Sequence, residues 1–180
     1  MTTRIHLLSL SASAHSVSRA CLEPVQSVLE KAGHSTAKMD IRDYPPVWVD
    51  SSSPENYPSE YSILSEDLKK SDGYILFMPV HCYTVPSTAK IITEILFTPL
   101  RKKPIGFVTA ASGKNSFLAV RDIMGSLIFD SHALIYPIHV YLNQEDLNDE
   151  FLPKDSLITR IEKFSNGFSE FTNLLKDISR

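Results

Sequence analysis

The stretch Ile5-His6-Leu7-Leu8-Ser9-Leu10, followed without a break by Ser11-Ala12-Ser13-Ala14-His15-Ser16-Val17-Ser18, decides how this chain folds. The first segment is apolar apart from one His and one Ser, and it reads as a buried strand over residues 4–10. A strand that is apolar on both faces belongs in a parallel sheet covered by helices on both sides. The second segment is a hydroxyl-rich turn. A helical period then sets in over residues 16–32, with Ala20, Leu22, Val25, Val28 and Leu29 on one face and Gly33 as its stop. Arg4, the apolar run and Ala12-Ser13-Ala14 mimic a small signal peptide. The run is shorter than a signal core, and no segment is long enough to span a bilayer.

The same order of strand, turn and helix recurs outward from this point. Residues 35–40 form a weaker second strand, and residues 44–58 a long loop carrying Pro45, Pro46, Pro54, Pro58 and a run of serines. A loop of that length is commonly functional. A helix spans 59–71, and Gly73-Tyr74-Ile75-Leu76-Phe77-Met78 holds the third strand, over 74–78, apolar enough to be central. Pro79-Val80-His81-Cys82-Tyr83-Thr84-Val85-Pro86 follows, with Pro86 opening a helix that runs to Phe97. A fourth strand covers 105–110, a small-residue turn 111–115, a helix 116–129 and a fifth strand 134–142. Asp155 caps a last helix in which Leu157, Ile158, Ile161, Phe164, Phe168, Phe171, Leu174 and Leu175 recur at helical spacing. Five strands alternating with helices predict a single α/β domain over residues 1–180. Its architecture is a three-layer, doubly wound, five-stranded parallel sheet of order 2-1-3-4-5.

Composition sets outer limits. The chain has 180 residues, 43% hydrophobic and 22% charged, with a net charge of −3. That balance argues against a nucleic-acid surface and against a strongly acidic carrier. Cys21 and Cys82 show no metal-ligand spacing and predict reduced thiols in a cytoplasmic protein.

In a sheet of this order, ligands sit beyond the carboxyl ends of the strands where the winding reverses, here between strands one and three. Three segments meet there. Ser11, Ser13, Ser16, Val17 and Ser18 offer hydroxyls and helix-start N–H groups to an anion, with His15 as a further donor. An ordinary serine-capped helix start is the plainer alternative. Neither GxGxxG nor GxxxxGK[ST] is present, so a terminal monophosphate suits the turn better than a dinucleotide or a triphosphate. Pro79, Val80, His81, Cys82 and Tyr83 form a stiff, aromatic segment suited to a flat ring, against the alternative of a plain connector. Ala111, Ser112 and Gly113 allow close backbone approach, with Lys114 as a weaker candidate near the ring's anionic edge. A mononucleotide carrying a flat ring, FMN, satisfies all three. His6 and His139 read as core-edge residues, and His34 and His132 as turn residues. A response-regulator receiver would need an Asp where Pro79 stands.

On these residues the chain resembles the NAD(P)H-dependent FMN reductases of flavodoxin-like fold. The family's GSxRxxS turn is matched by Leu10-Ser11-Ala12-Ser13-Ala14-His15-Ser16, with Leu10 for the Gly and Ser13 for the Arg. Its DLRDLPLP stretch is matched by Asp40-Ile41-Arg42-Asp43-Tyr44-Pro45-Pro46. Its TPEYNGSIPGxLKNAID signature is matched at Pro79, Pro86 and Lys90, with Val80, His81, Cys82 and Tyr83 replacing Glu, Tyr, Asn and Gly. The resemblance implies FMN as cofactor and NAD(P)H as co-substrate. Hydride would pass through the flavin to free flavin, quinone or a similar small acceptor, with no protein acid or base strictly required. It also implies a homodimer or homotetramer in which the 44–58 loop helps cover the flavin. A flavodoxin-like electron carrier and a relative that has lost flavin are the competing readings.

Overall fold

The computed structural model describes residues 3–50 and 52–176. Its parallel sheet contains β1 (Arg4–Ser9), β2 (Ser35–Asp40), β3 (Gly73–Pro79), β4 (Pro104–Ala110), β5 (Leu134–Ile135) and β6 (Val140–Leu142), in the order β2-β1-β3-β4-β5 with β6 also on β4. The register sets Ser9 opposite both Asp40 and Phe77, and Pro79 opposite Ala110. The carboxyl ends of β1, β3 and β4 therefore finish side by side. This is the flavodoxin-like order expected from the sequence.

Each central strand is buried on both faces. Ile5 and Leu7 face one core together with α1 (Leu22–Lys31) and α6 (Asp155–Leu175). Leu8 and Leu10 face the other, built with α2 (Ser59–Leu68), α3 (Ser87–Ile95), α4 (Phe97–Leu100) and α5 (Arg121–Phe129). Helix α6 lies close enough that a Cβ on Gly106 would fall 2.9 Å from Phe164 Cζ and 3.0 Å from Phe168 Cδ2.

Prolines account for three departures from the expected elements. Helix α1 starts at Leu22 rather than Ser16, after a 3-10 turn over Arg19–Cys21. A helix begun at Ser16 would carry Pro24 in its interior, whereas from Leu22 it lies in the first turn, where a missing N–H costs no bond. The helix expected to run from Pro86 to Phe97 breaks at Leu96 (φ −111°, ψ 28°), placing Pro99 in the first turn of α4. The fifth strand divides into β5 and β6 around Pro137, which has no ladder donor, so His139 lies in the gap. The helix expected over 116–129 opens as a 3-10 turn, Phe117–Val120. Asp155 is the first residue of α6 rather than its cap; Lys154 holds the cap position without a side-chain bond.

Candidate functional site

Beyond β1, the Leu10 N–H donates to the Phe77 carbonyl at 2.8 Å, and the Leu10 carbonyl accepts from Thr88 Oγ1 at 2.5 Å. The turn that follows is held by its own hydroxyls. Ser16 Oγ and Ser18 Oγ lie 3.1 Å apart, and the Arg19 N–H donates to Ser16 Oγ at 3.3 Å. Ser13 Oγ accepts from the His15 N–H at 3.2 Å. Ser11, Ser16 and Ser18 are buried, whereas Ser13 and His15 are exposed.

Arg19 is one of the residues that sequence reading missed. Its guanidinium lies behind the turn and donates to the carbonyls of Ser11 at 2.6 Å, Ser13 at 2.8 Å and Ala14 at 3.5 Å. Its Nε also reaches Ser9 Oγ at 3.1 Å and Asp40 Oδ2 at 3.0 Å. Asp40 in turn takes Arg42 through both oxygens, at 3.0 and 2.7 Å. Partial burial would raise the Asp40 pKa, but the bonds from Arg42 and the charges of both arginines hold it below the usual carboxylate value. An arginine one position past a serine turn reads as helix surface; only the fold turns it inward.

The second segment leaves β3 still in register, with the Val80 N–H on the Ala110 carbonyl at 2.7 Å. His81 and Thr84 then exchange two backbone bonds of 2.9 Å around Cys82 (φ 49°) and Tyr83 (φ 63°). Two successive left-handed residues between such bonds make a two-residue turn of the I′ kind. Thr84 Oγ1 donates to Asp122 Oδ2 of α5 at 3.3 Å. In the third segment the Tyr141 hydroxyl donates to the Gly113 carbonyl at 2.6 Å and accepts from the Ser116 N–H at 3.2 Å.

These segments enclose one cavity of about 250 Å³, whose walls include Ser11, Ser13, Ser16, Val17, Ser18, Pro79, Val80, His81, Ala111 and Ser112. Ala12, His15, Ala110 and Gln144 complete it. Cys82, Tyr83 and Gly113 are not among the wall residues; all three are exposed. Lys114 is not among them either and pairs with Glu145 at 2.6 Å. Gln144 follows β6 in a short 3-10 turn capped by Asn143; a fourth strand-end loop was the available signal for it. Among the described residues no group of three or more His, Cys, Asp or Glu side chains could hold a metal.

A larger hollow of about 720 Å³ adjoins the cavity, sharing Ala12 and walled by Tyr44, Trp48, Tyr61 and Ile91 among others. It contains none of the serine cradle, and its walls are mostly apolar and aromatic apart from Arg42, Ser87 and Thr88. The 44–58 loop that forms much of it is pinned, with the Tyr61 hydroxyl on the Pro45 carbonyl at 2.8 Å and the Tyr57 hydroxyl on Asp50 at 3.0 Å. Trp48 stands out from it, 94% exposed.

A doubly wound parallel sheet of order 2-1-3-4-5, with a glycine-free hydroxyl turn at its switch point, defines a flavodoxin-like protein. More narrowly, residues 3–145 match the model of the NADPH-dependent FMN reductase family, and the chain belongs to that family, an FMN-reductase-like class of oxidoreductases. No curated protein matches the sequence significantly. Among solved structures, the flavoenzyme NAD(P)H:(acceptor) oxidoreductase FerB from Paracoccus denitrificans superposes with a TM-score of 0.79 at 13% identity, covering 96% of this chain and 98% of that one. RosB, solved with bound 8-demethyl-8-formylriboflavin-5′-phosphate, gives 0.78 at 14% identity, covering 99% and 82%. An oxidoreductase from Corynebacterium diphtheriae gives 0.76 at 16% identity, covering 96% and 98%. At these identities the likeness is one of fold.

Proposed function

We propose that this protein binds FMN in the 250 Å³ cavity and uses it to pass hydride from NAD(P)H to free flavin, a quinone or a similar small acceptor. The observation that carries the reading is the convergence of three strand-end segments on one hollow, with buried hydroxyls at one end and a proline-bounded shelf at the other. Ser11, Ser16 and Ser18 are 2%, 6% and 1% exposed, and no lysine or arginine is among the cavity walls. Such a lining fits a phosphate recognised by neutral donors. Ser13 and the turn backbone at Val17, which precedes the 3-10 turn rather than opening α1, complete the phosphate end. Pro79, Val80, His81, Ala111 and Ser112 hold the ring. Cys82 and Tyr83 act through the turn that sets His81, and Gly113 through the loop that Tyr141 fastens. Bound FMN supplies the hydride chemistry. The chain's own residues orient the ring and keep one side of it against protein.

Two copies, or four, would complete the cover, with the outward Trp48 on the pinned 44–58 loop as the contact. Among the described residues no helix is long and apolar enough to cross a membrane. The two cysteines, both free thiols, fit a reducing cytoplasm. An absorption spectrum after FMN loading, with bands near ~450 nm, and oxidation of NADPH or NADH by the loaded protein test the reading. Bound flavin without nicotinamide oxidation would indicate a carrier. A protein that stays colourless after FMN addition would refute the site.

A further inference from the structure

Resting on that reading, we propose that Arg19 is the positioning residue of the phosphate turn and shapes it without touching the phosphate. A glycine-free loop can wrap an anion only if its carbonyls point elsewhere. The Arg19 guanidinium takes the carbonyls of Ser11 and Ser13 at 2.6 and 2.8 Å, with that of Ala14 at the edge of reach at 3.5 Å. In a trans peptide the C=O and the following N–H point in opposite directions. Drawing the Ser11 and Ser13 carbonyls back therefore turns the N–H groups of Ala12 and Ala14 away from Arg19. Ala12 lines the cavity and Arg19 is not among its walls.

The guanidinium itself is committed. Nε is shared between Ser9 Oγ and the Asp40 carboxylate, and the terminal nitrogens bond the carbonyls. Its positive charge is offset by Asp40, whose other strong partner is Arg42. Arg19 thus gives the turn shape while leaving recognition to N–H and hydroxyl donors. The planar fork is essential to this role, because an ammonium cannot span the same spread of acceptors. Selectivity follows. A ligand with a phosphate depends on Arg19, and the same ring system without one does not.

Titrating FMN and riboflavin against wild type, Arg19→Lys, Arg19→Gln and Arg19→Gln/Asp40→Asn by flavin fluorescence tests the assignment. Losing two charge-assisted bonds to the turn should weaken FMN binding about 30-fold in Arg19→Gln, with Arg19→Lys between it and wild type. Riboflavin affinity should stay within about threefold, since it draws on the shelf alone. If Arg19→Gln folds poorly, the double variant, which also removes the Asp40 charge left with Arg42 alone, should regain thermal stability without regaining preference for FMN. Equal loss of FMN and riboflavin affinity, or recovery of FMN affinity in the double variant, would make Arg19 merely structural and overturn the proposal. Amide shifts of Ala12 and Ala14 on adding inorganic phosphate separate this idea from the flavin reading. Shifts in wild type that vanish in the double variant support Arg19 even if FMN does not bind. No shift in wild type with either ligand overturns both.

Discussion

Replacing Cys82-Tyr83 by Asn-Gly should stabilise the protein, because the turn at the mouth of the cavity is built from residues that suit it badly. Both positions are left-handed, at φ 49° and 63°, and neither is glycine. A left-handed conformation costs an L residue roughly 1–2 kcal/mol, and Gly escapes that cost while losing about 0.5–1 kcal/mol through its freer unfolded chain. The net gain at Tyr83 is therefore about 0.8 kcal/mol, and Asn, which tolerates this conformation better than Cys, adds a few tenths. Little packing is forfeited, since Tyr83 is 68% exposed. The double substitution should raise unfolding free energy in urea by about 1 kcal/mol with an unchanged m-value, a Tm rise of roughly 2–4 °C for a domain of this size. Both single variants belong in the series, with Tyr83→Gly carrying most of the effect. A neutral or destabilising outcome would mean that the left-handed pair carries no strain or that Tyr83 has a packing partner.

Ser16→Asp places a carboxylate in the turn assigned to the phosphate, and FMN affinity should fall at least ~100-fold by charge repulsion; unchanged quenching of flavin fluorescence would remove the phosphate from this end. Burial pushes the His6 pKa down to about 4, opposed by the Asp67 carboxylate and reinforced by the Arg4 charge. Its folded form thus binds fewer protons than the unfolded chain, so this stability is fully present above about pH 6.5 and lost as pH falls toward 4. The loss amounts to about 2.5 kcal/mol by pH 4.5. Urea unfolding at pH 7 and pH 4.5 should show that loss in wild type and not in His6→Leu; parallel losses in both would clear His6 of the effect. Gly167→Ala, a change that ordinarily helps a helix, should instead cost about 1–3 kcal/mol. The new Cβ would fall 2.0 Å from Tyr136 Oη, on a ring held by Phe164, Phe168 and Phe171 at centroid distances of 5.8, 5.8 and 5.4 Å. Gly125→Ala, with nothing within 4 Å, is the control and should be stabilising in the same thermal melts.

The strands were legible because burial on both faces leaves an apolar run that needs no periodicity to be seen, as in Tyr74 to Met78. The meeting of the three loops was legible because strand order fixes which carboxyl ends are neighbours. Element ends were less so, although Pro24, Pro99 and Pro137 carried the information: each lacks an N–H that a longer element would have required. Arg19 and Gln144 were not legible as site residues. A charge or an amide reveals its role only through the direction of backbone carbonyls and the path of a later strand. His34 belongs with them: a turn residue by sequence, it bonds Thr3 and Ser169 through its two ring nitrogens and so fastens α6 to the start of β1.

The two unusual features of the site answer one physical need. On the proposed reading, a cavity that holds a phosphate with neutral donors, and a ring with a shelf, gains little from long-range attraction and depends on shape fixed before the ligand arrives. At the phosphate end the fixing is electrostatic, through one guanidinium drawing the Ser11 and Ser13 carbonyls backward. At the ring end it is steric, since the left-handed pair Cys82 and Tyr83 closes the two bonds between His81 and Thr84 and so sets where His81 stands. Glycines could have supplied the ring-end shape at lower strain, but with a looser unfolded chain and a more mobile loop. With residues other than glycine in both places, the rigidity of the site has to come from the surrounding contacts. Arg19 and the turn at Cys82-Tyr83 are therefore the places where a substitution should alter binding without touching the ligand.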